Sequence, residues 1–206
     1  MAKKKFDKLK VIEAFAVTIA QSIIGGERTR PNHPDGDLFH QDVGLFSEVK
    51  CSGDSGGAII VREQIKRHTH PHTGRTRHYV FVFYKNCGMN RGRWQCLTFR
   101  RGRTPKFLEK FLAENTRIIC IVDSRVVLAL YKERCKSDER TYIMQSGTVK
   151  TYLKMRPKVF VPFVRNVSSL AKLGLNPESY RVEREPRLIW FGQHQIRAMV
   201  LRVTLA

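Results

Sequence analysis

The N-terminal quarter of the chain shows first a helical and then a strand-like distribution of apolar residues. Apolar side chains recur every three or four positions in residues 5–24, which is the spacing of an amphipathic helix, and a Gly-Gly pair ends it. Residues 38–39 form a short apolar pair, and residues 45–50 mix apolar and polar side chains as a half-buried strand does. The turn-like residues 41–44 separate the two. The pattern therefore predicts a helix followed by a β-hairpin.

The middle of the chain predicts further strands and helices. Residues 79–85 are an uninterrupted run of β-branched and aromatic side chains, which is typical of a central strand covered on both faces. The other predicted elements are a helix at 58–67 (or a strand that begins at 60–61), a strand at 93–100, a helix over 107–112 that Pro105 opens, and strands at 118–122 and 126–131. This order predicts an α/β protein with a mixed central sheet flanked by helices.

The last third of the chain is broken by prolines and begins after a charged segment, residues 133–140. We take that segment as a boundary, which predicts a core in residues 1–135 and a mixed extension in residues 136–206. The extension has strand-like runs at 159–164, 188–191 and 199–205 and a helical pattern at 168–174. It carries no catalytic motif. DNA recognition, pairing of two subunits and completion of the sheet are its three candidate roles.

Charged residues of the hairpin are the candidates for chemistry. Glu48 and Lys50 are two positions apart on one predicted strand, so their side chains lie on the same face. Three carboxylates occur shortly before them: Asp35, Asp37 and Asp42. Two carboxylates beside one lysine suit a hard divalent cation such as Mg²⁺, with the ammonium group steering a water molecule or a phosphate oxygen.

Three aspartates compete for the position next to Glu48. Asp35 precedes a glycine, which indicates a loop with a mobile side chain. Asp42 lies in or beside the turn, where aspartates bond to their own backbone. Asp37 leads directly into the apolar pair, so packing would fix its direction, and the hairpin register would place it across from Glu48. Asp37 is the favoured ligand, and the other two remain alternatives.

The net charge of +20 is far from neutral and unevenly distributed. Residues 1–60 carry eight basic and eight acidic side chains, whereas residues 61–206 carry thirty and ten. A neutral segment that contains the acidic cluster, joined to a strongly basic remainder, is typical of a cation site that works on a polyanion. Nucleic acid is the favoured polyanion, because the basic residues do not form the single amphipathic helix expected at a membrane surface.

The hairpin resembles a known nuclease motif. The Pro34-Asp35 pair, the triplet formed by Glu48, Val49 and Lys50, and the order of elements resemble the PD-(D/E)xK nuclease superfamily. The layout of residues 37–50 is similar to archaeal-type Holliday junction resolvases. The resemblance implies a restriction-endonuclease-like αβββαβ core with a mixed C-terminal extension. It also implies an Mg²⁺-dependent DNA endonuclease, with Mn²⁺ able to substitute, that acts as a symmetric homodimer.

The resemblance also implies roles for individual residues. Asp37 and Glu48 would hold the metal, Lys50 would orient or activate the attacking water, and Asp35 of the Pro-Asp pair is the other catalytic candidate. Glu13 matches an acidic residue on the first helix that helps to bind metal in the family. Gln64 matches a glutamine that supports the site in several of its branches. The alternative for Glu13 is an ordinary solvated glutamate on a helix.

Basic side chains on both sides of the predicted central strand are expected to contact DNA. They are Arg62, Lys66, Arg91, Arg93, Arg100, Arg101 and Arg103. Four of the seven histidines fall within residues 68–78, which we interpret as an exposed basic loop near DNA, with a transition-metal site as the alternative.

Several other functional classes fit the sequence less well. Residues 53–57 match the Gly-Asp-Ser-Gly-Gly segment around the nucleophile of chymotrypsin-like proteases. Too little chain precedes Ser55 to build that fold, so we expect a turn that caps the following helix. Five scattered cysteines without a CxxC pair favour an intracellular, cytoplasmic protein, and we expect no membrane-spanning segment. A sequence-specific endonuclease of restriction or homing type and a non-catalytic nucleic-acid-binding protein remain the functional alternatives.

Overall fold

The computed structural model describes residues 8–54, 56–85, 105–143 and 147–206. The helices are α1 (Lys8–Ile24), α2 (Arg62–His68), α3 (Pro105–Asn115), α4 (Ser124–Asp138) and α5 (Pro157–Arg165), with two short 3-10 helices at Val167–Leu173 and Pro177–Ser179. The strands are β1 (Glu27–Arg28), β2 (Leu38–His40), β3 (Leu45–Gly53), β4 (Ala58–Val61), β5 (Thr76–Tyr84), β6 (Thr116–Asp123), β7 (Arg140–Ile143), β8 (Val149–Met155), β9 (Tyr180–Phe191) and β10 (His194–Leu205).

Seven of the described strands form a mixed central sheet in the order β1-β2-β3-β5-β6-β10-β9. The pairs β3–β5 and β6–β10 are parallel, and the others are antiparallel. The chain is therefore an α/β protein with a mixed sheet flanked by helices, as the sequence predicts. The C-terminal strands β9 and β10 continue this sheet beyond β6. Residues on both sides of the predicted boundary at residue 135 thus share one sheet, and the boundary itself falls inside α4.

Each face of the central sheet is covered by a different set of elements. On one face, Tyr79, Phe81 and Phe83 of β5 pack against α2, α4, α5 and a smaller sheet in the order β4-β8-β7. On the opposite face, Val80 and Val82 of β5 pack against α1 and α3. The strand β5 is buried along most of its length because both faces are covered, which confirms the prediction for residues 79–85.

The structure confirms the elements with the strongest local periodicity. The helix α1 ends next to Gly25, and the turn at residues 41–44 joins β2 to β3. Proline occupies the first position of α3, where its missing N–H removes no helical hydrogen bond.

The predicted strand at 126–131 is wrong, since these residues belong to α4. The helix begins there because the carboxylate of Asp123 accepts a hydrogen bond from the Arg125 backbone N–H at 2.9 Å and so caps the first turn. Val126, Val127 and Leu130 are buried on one face of this helix, at helical spacing. The charged residues 133–140 are mostly the exposed end of α4 and are not a linker.

Two more predictions are corrected in type. The predicted helix at 58–67 is confirmed only from Arg62, as Arg62–His68, and the alternative of a strand at residues 60–61 holds for the part before it. Residues 58–61 form the strand β4, because β8 supplies an antiparallel partner nearly a hundred residues later. The turn after Gly53 therefore leads into a strand and caps no helix. Residues 159–164 lie in α5, where Val159, Phe160 and Phe163 pack into the core. The predicted helix at 168–174 is a 3-10 helix, and the predicted strand at 93–100 lies outside the described residues.

In the part of the chain that the structure describes, no helix combines the length and the apolar character needed to cross a membrane.

Candidate active site

Strand β3 carries two of the predicted site residues on one face of the sheet. In the parallel register with β5, Glu48 lies beside Tyr79 and Lys50 lies beside Phe81. The Lys50 ammonium group forms an ion pair with Glu48 Oε1, and the Glu48 side chain is 5% exposed whereas that of Lys50 is 23% exposed. The two side chains therefore share a face and touch each other, as the spacing of the motif predicts. Lys50 remains reachable from solvent.

Helix α2 supplies a second partner for Glu48. Gln64 Nε2 donates a hydrogen bond to Glu48 Oε1 at 2.6 Å, so one carboxylate oxygen receives both the amide of Gln64 and the ammonium of Lys50. These contacts fix the orientation of a nearly buried carboxylate, which would otherwise be costly to desolvate. The structure thus brings Gln64 to the position where the sequence predicts a supporting residue.

The hairpin register brings Asp37 to the same place. Leu38 pairs with Ser47 and Phe39 with Phe46, so Asp37 directly precedes the ladder and lies beside the part of β3 that carries Glu48. The Asp37 backbone N–H donates to Ser47 O at 2.9 Å, and Asp37 Oδ2 accepts from the Val49 backbone N–H at 2.7 Å. The predicted pairing of residues 38–39 with residues 46–47 is therefore confirmed, whereas Asp37 lies outside the ladder and its carboxylate points at the strand that carries Glu48.

The electrostatics of Asp37 are those of a crowded acidic site. Burial, and next the negative charge of Glu48, raises the pKa of Asp37 to about 7. The Val49 N–H and the Lys50 ammonium oppose this rise, while Glu13 adds to it. The ionised carboxylate is thus held in an environment that disfavours its charge, and a bound cation would relieve that cost.

The segment that carries Asp37 is held by its own carbonyl groups. In residues 34–37, the four successive carbonyl oxygens accept hydrogen bonds from His68 Nε2 (2.9 Å), Thr76 Oγ1 (2.6 Å), Thr29 Oγ1 (2.7 Å) and the Thr29 N–H (3.0 Å). The segment also runs very close to β3, because a Cβ at Gly36 would lie 2.7 Å from Ser47 O. Gly36 has φ +145°, which a side chain would strain. The loop is thus fixed from several elements at once.

His68 is buried beside the candidate site, contrary to the prediction of an exposed loop. It is the last residue of α2 and is 1% exposed, whereas residues 68–78 were predicted as an exposed basic loop. The Pro34 carbonyl can only accept, so Nε2 carries the proton, and Nδ1 accepts from the Tyr79 hydroxyl at 2.7 Å. Burial lowers the pKa of His68, which keeps the ring neutral in this arrangement. The signal in the sequence was its helical spacing from buried Ile65, three residues earlier.

The other acidic candidates have no described side-chain hydrogen bond to Glu48 or Lys50. The backbone of Asp35 is engaged, since its N–H reaches His33 Nδ1 at 3.3 Å and its carbonyl bonds to Thr76. Asp42 is exposed in the hairpin turn. Glu13 is exposed on α1 and shares with Asp37 the lining of a cleft of about 570 Å³.

Basic side chains that were not predicted as site residues line the same cleft. They are Lys10 of α1 together with Arg28 and Arg30, which flank Thr29. Because Thr29 is bonded to the 36–37 backbone, this basic loop is held next to Asp37. The position of these side chains depends on long-range contacts, so local sequence gave no signal for them.

The predicted DNA-binding residues are only partly described. Arg62 forms an ion pair with Glu139, which also accepts from the Tyr131 hydroxyl, so Arg62 joins α2 to the end of α4. Its contact with DNA stays a prediction, and its ion pair with Glu139 gives it a structural role as well. Lys66 is exposed on α2. The remaining five, Arg91, Arg93, Arg100, Arg101 and Arg103, lie outside the described residues.

The donor set suits a cation that needs few protein ligands. Within the described ranges, no group of three or more His, Cys, Asp or Glu side chains is arranged to hold a metal ion. Asp37 and Glu48 nevertheless offer carboxylate oxygens that are close enough for their charges to interact, beside Lys50. Magnesium is commonly bound through one or two carboxylates, with waters and substrate phosphates completing its shell. The residues present therefore fit Mg²⁺ or Mn²⁺, and they lack the nitrogen and sulfur ligands typical of zinc.

Comparison with known proteins returned no match of this chain to a protein-family model, a curated protein or a solved structure. The resemblance to PD-(D/E)xK nucleases consequently rests on the residues and geometry described above.

Proposed function

We propose that the protein is a metal-dependent DNA endonuclease that hydrolyses phosphodiester bonds, built on a restriction-endonuclease-like αβββαβ core. The observation that carries the proposal is the position of the Asp37 carboxylate against strand β3, where it interacts with the charge of Glu48, with Lys50 in contact with Glu48. The raised pKa of Asp37 supports it, because a site that disfavours a carboxylate charge gains by binding a cation. The net charge of +20 supports a polyanionic substrate.

Each residue of the proposed site has a distinct task. Asp37 and Glu48 would hold Mg²⁺, with Glu13 at the cleft wall as a further acidic group. When bound, the cation would neutralise negative charge that develops on the phosphate during in-line attack. Lys50 would orient the attacking water or a phosphate oxygen through its ammonium hydrogens. Gln64 holds Glu48 in place, and His68 fixes the segment of Asp37.

The substrate belongs to the same proposal. We propose a structure-selective enzyme for branched DNA, acting as a homodimer with one site for each strand, on the layout of residues 37–50. A sequence-specific endonuclease of restriction or homing type is the rival within the nucleases. Cleavage of a four-way junction, a linear duplex and a plasmid, each with and without Mg²⁺ or Mn²⁺, separates these substrates directly.

The catalytic assignment is tested by single variants of the hairpin. Lys50→Ala and Glu48→Ala should each lower the cleavage rate by roughly 100-fold or more. DNA affinity should stay within a few-fold, since one side chain is a small part of the phosphate contact. Asp37→Ala should lose activity similarly, whereas Asp35→Ala and the exposed control Asp42→Ala should keep most of it. Normal cutting by both the Lys50 and the Glu48 variant would remove the nuclease assignment from this motif.

A second function, non-catalytic nucleic-acid binding, is favoured by one specific observation. Glu48 Oε1 is already satisfied by Lys50 and Gln64, so the acidic cluster can also be explained as a buried structural network. In that case the protein binds DNA but cuts none of the three substrates with either cation. Glu48→Ala would then lower the melting temperature without any cleavage activity to lose, so cleavage by the parent protein separates the two functions.

A further inference from the structure

A second basic feature lies away from the hairpin, where α4, β7, β8 and the start of α5 meet. It is a concave pocket of about 180 Å³. Six charged side chains line it. Five are cationic, namely Arg134, Arg140, Lys154, Arg156 and Lys158, and the sixth is the carboxylate of Asp138.

The single carboxylate of the pocket does not balance these cations. Asp138 is already ion-paired with Arg134, one turn earlier on α4, with Nε to Oδ2 at 3.1 Å. Among the described residues, no carboxylate lies within salt-bridge distance of the other four cations, Arg140, Lys154, Arg156 and Lys158. Arg140 and Arg156 interact with Asp138 only at longer range, so five positive side chains share one carboxylate in one small concavity, an arrangement that an anion would stabilise.

The start of α5 adds to the positive potential. The N-terminus of a helix carries a partial positive charge and usually has acidic or capping side chains. Here Arg156 occupies the capping position without a side-chain cap, Lys158 follows in the first turn, and the first turn contains no acidic residue. Two cations therefore stand where the helix itself favours an anion.

The pocket lies on the side of the central sheet that carries Glu48 and Lys50. The strands β4 and β8 pack on the face of Tyr79 and Phe81, and these are the residues beside Glu48 and Lys50 in the sheet. The turn after β3 reaches the pocket, because a Cβ on Gly57 would lie 2.9 Å from Arg156 Cγ.

The distance from the hairpin to the pocket suits one nucleic-acid molecule. Lys50 precedes Gly53 by three strand residues, or about 10 Å at roughly 3.3 Å per residue, and the Gly57 N–H bonds to Gly53 O at 3.1 Å. The backbones of Lys50 and Arg156 are therefore separated by on the order of 15–20 Å, at roughly 3.3 Å for each strand residue, which is less than one duplex turn of about 34 Å. A single bound nucleic acid can reach both.

We propose that this pocket binds a backbone phosphate of the same nucleic acid whose phosphodiester bond lies at the hairpin. This inference rests on the proposed function for its substrate, but the phosphate chemistry of the pocket stands separately. Guanidinium and ammonium donors around a concave site match the oxygens of a phosphate group, and such contacts position a nucleic acid without reading its sequence. A free phosphate ion has the same chemistry, and the experiment below distinguishes the two.

The test removes two positive charges from the pocket and compares the result with the removal of two positive charges elsewhere on the protein. Lys154→Ala/Lys158→Ala is the pocket variant, and Arg187→Ala/Arg197→Ala, on β9 and β10 at the far edge of the sheet, is the control with the same change in net charge. Fluorescence anisotropy with a labelled duplex, without metal and at several salt concentrations, gives the affinity. The pocket variant should bind about 10-fold more weakly, and its slope of log K against log[salt] should be shallower by about 0.9. The control should change little.

Each outcome decides the inference. An unchanged affinity and slope in a variant that melts like the parent overturns it, and so does an equal loss in the control. If the double variant does not fold, the single variant Arg156→Gln takes its place with the same expected direction. Inorganic phosphate that raises the melting temperature of the parent but not of the pocket variant, with no difference in DNA affinity, would show a site for free phosphate and overturn the backbone assignment.

The cleavage assay keeps this inference apart from the proposed function. The pocket variant should need about 10-fold more DNA than the parent to reach half of its maximal cleavage rate, because it has lost a phosphate contact. If the parent binds DNA and the pocket variant binds less tightly, but neither cuts, the pocket stands and the nuclease assignment fails. If Lys50→Ala abolishes cutting while the pocket variant binds like the parent, the nuclease assignment stands and the inference about the pocket fails.

Discussion

Asp37 connects the stability of the protein to its proposed function. Its pKa is about 7 in the folded chain and 3.8 for an ordinary aspartate, so the folded state binds more protons than the unfolded state between these values. The contribution of Asp37 to stability is therefore most favourable below pH 4 and is lost as the pH rises to about 7. Above pH 7 the ionised carboxylate destabilises the fold, in the absence of metal.

We predict that Asp37→Asn stabilises the metal-free protein at pH 8 by about 2–4 kcal/mol, since each pKa unit corresponds to roughly 1.4 kcal/mol. The difference from the parent should shrink towards pH 4. Urea unfolding in EDTA at several pH values measures it. Adding Mg²⁺ should raise the melting temperature of the parent but not of the variant. A variant that is less stable than the parent at pH 8 would contradict the electrostatic origin.

At the scale of the element, two glycines of the hairpin region can be compared by substitution. Both Gly36 and Gly44 have positive φ, but a Cβ at Gly44 would meet nothing within 4 Å, whereas a Cβ at Gly36 would lie 2.7 Å from Ser47 O. Gly44→Ala therefore tests the backbone conformation alone, and Gly36→Ala also tests the close approach of the Asp37 segment to β3.

We predict that Gly44→Ala costs about 1 kcal/mol of stability and leaves cleavage nearly unchanged. Gly36→Ala should cost more and should lower cleavage about 100-fold, because a displacement of about 1 Å in a catalytic group has an effect of that order. Urea unfolding and a single-turnover cleavage assay measure the two quantities. Equal effects of the two substitutions would show that the position of this segment does not matter for activity.

At the scale of the whole molecule, the positive charge should dominate DNA binding. If the basic part of the chain covers several phosphates, log K should fall with log[salt] with a slope of roughly −4 or steeper, at about −0.9 for each phosphate neutralised. The measurement is a salt titration of duplex binding in EDTA, since this step needs no metal. A flat salt response would remove nucleic acid as the partner.

The single central sheet leads to a prediction about truncation. Strand β10 pairs with β6 along five residues, and the small sheet includes β4 from the first half of the chain and β8 from the second. Residues 1–135 alone would expose the ladder of β6 and the apolar face under β8. We predict that this fragment shows no cooperative thermal unfolding by circular dichroism, in contrast to the full chain. A cooperative transition would restore the boundary at residue 135.

The sequence alone determined the features that depend on local spacing. A period of two residues places Glu48 and Lys50 on one face, and the helical period defines α1. The turn at 41–44 sets the pairing of residues 38–39 with residues 46–47, which brings Asp37 next to β3. These are contacts between residues close in the chain, where periodicity and turn chemistry leave few alternatives.

Only the tertiary structure decided the features whose partners are distant in sequence. Strand β4 is a strand because β8 pairs with it, and His68 is buried because the Pro34 carbonyl and the Tyr79 hydroxyl satisfy its ring. Arg62 meets Glu139, which lies 77 positions later in the chain. A short apolar run is compatible with either helix or strand, and a polar residue can be buried or exposed, until packing supplies a pairing edge or a hydrogen-bond partner. The partners of these residues are therefore known only from the tertiary structure, because the local sequence pattern does not specify them.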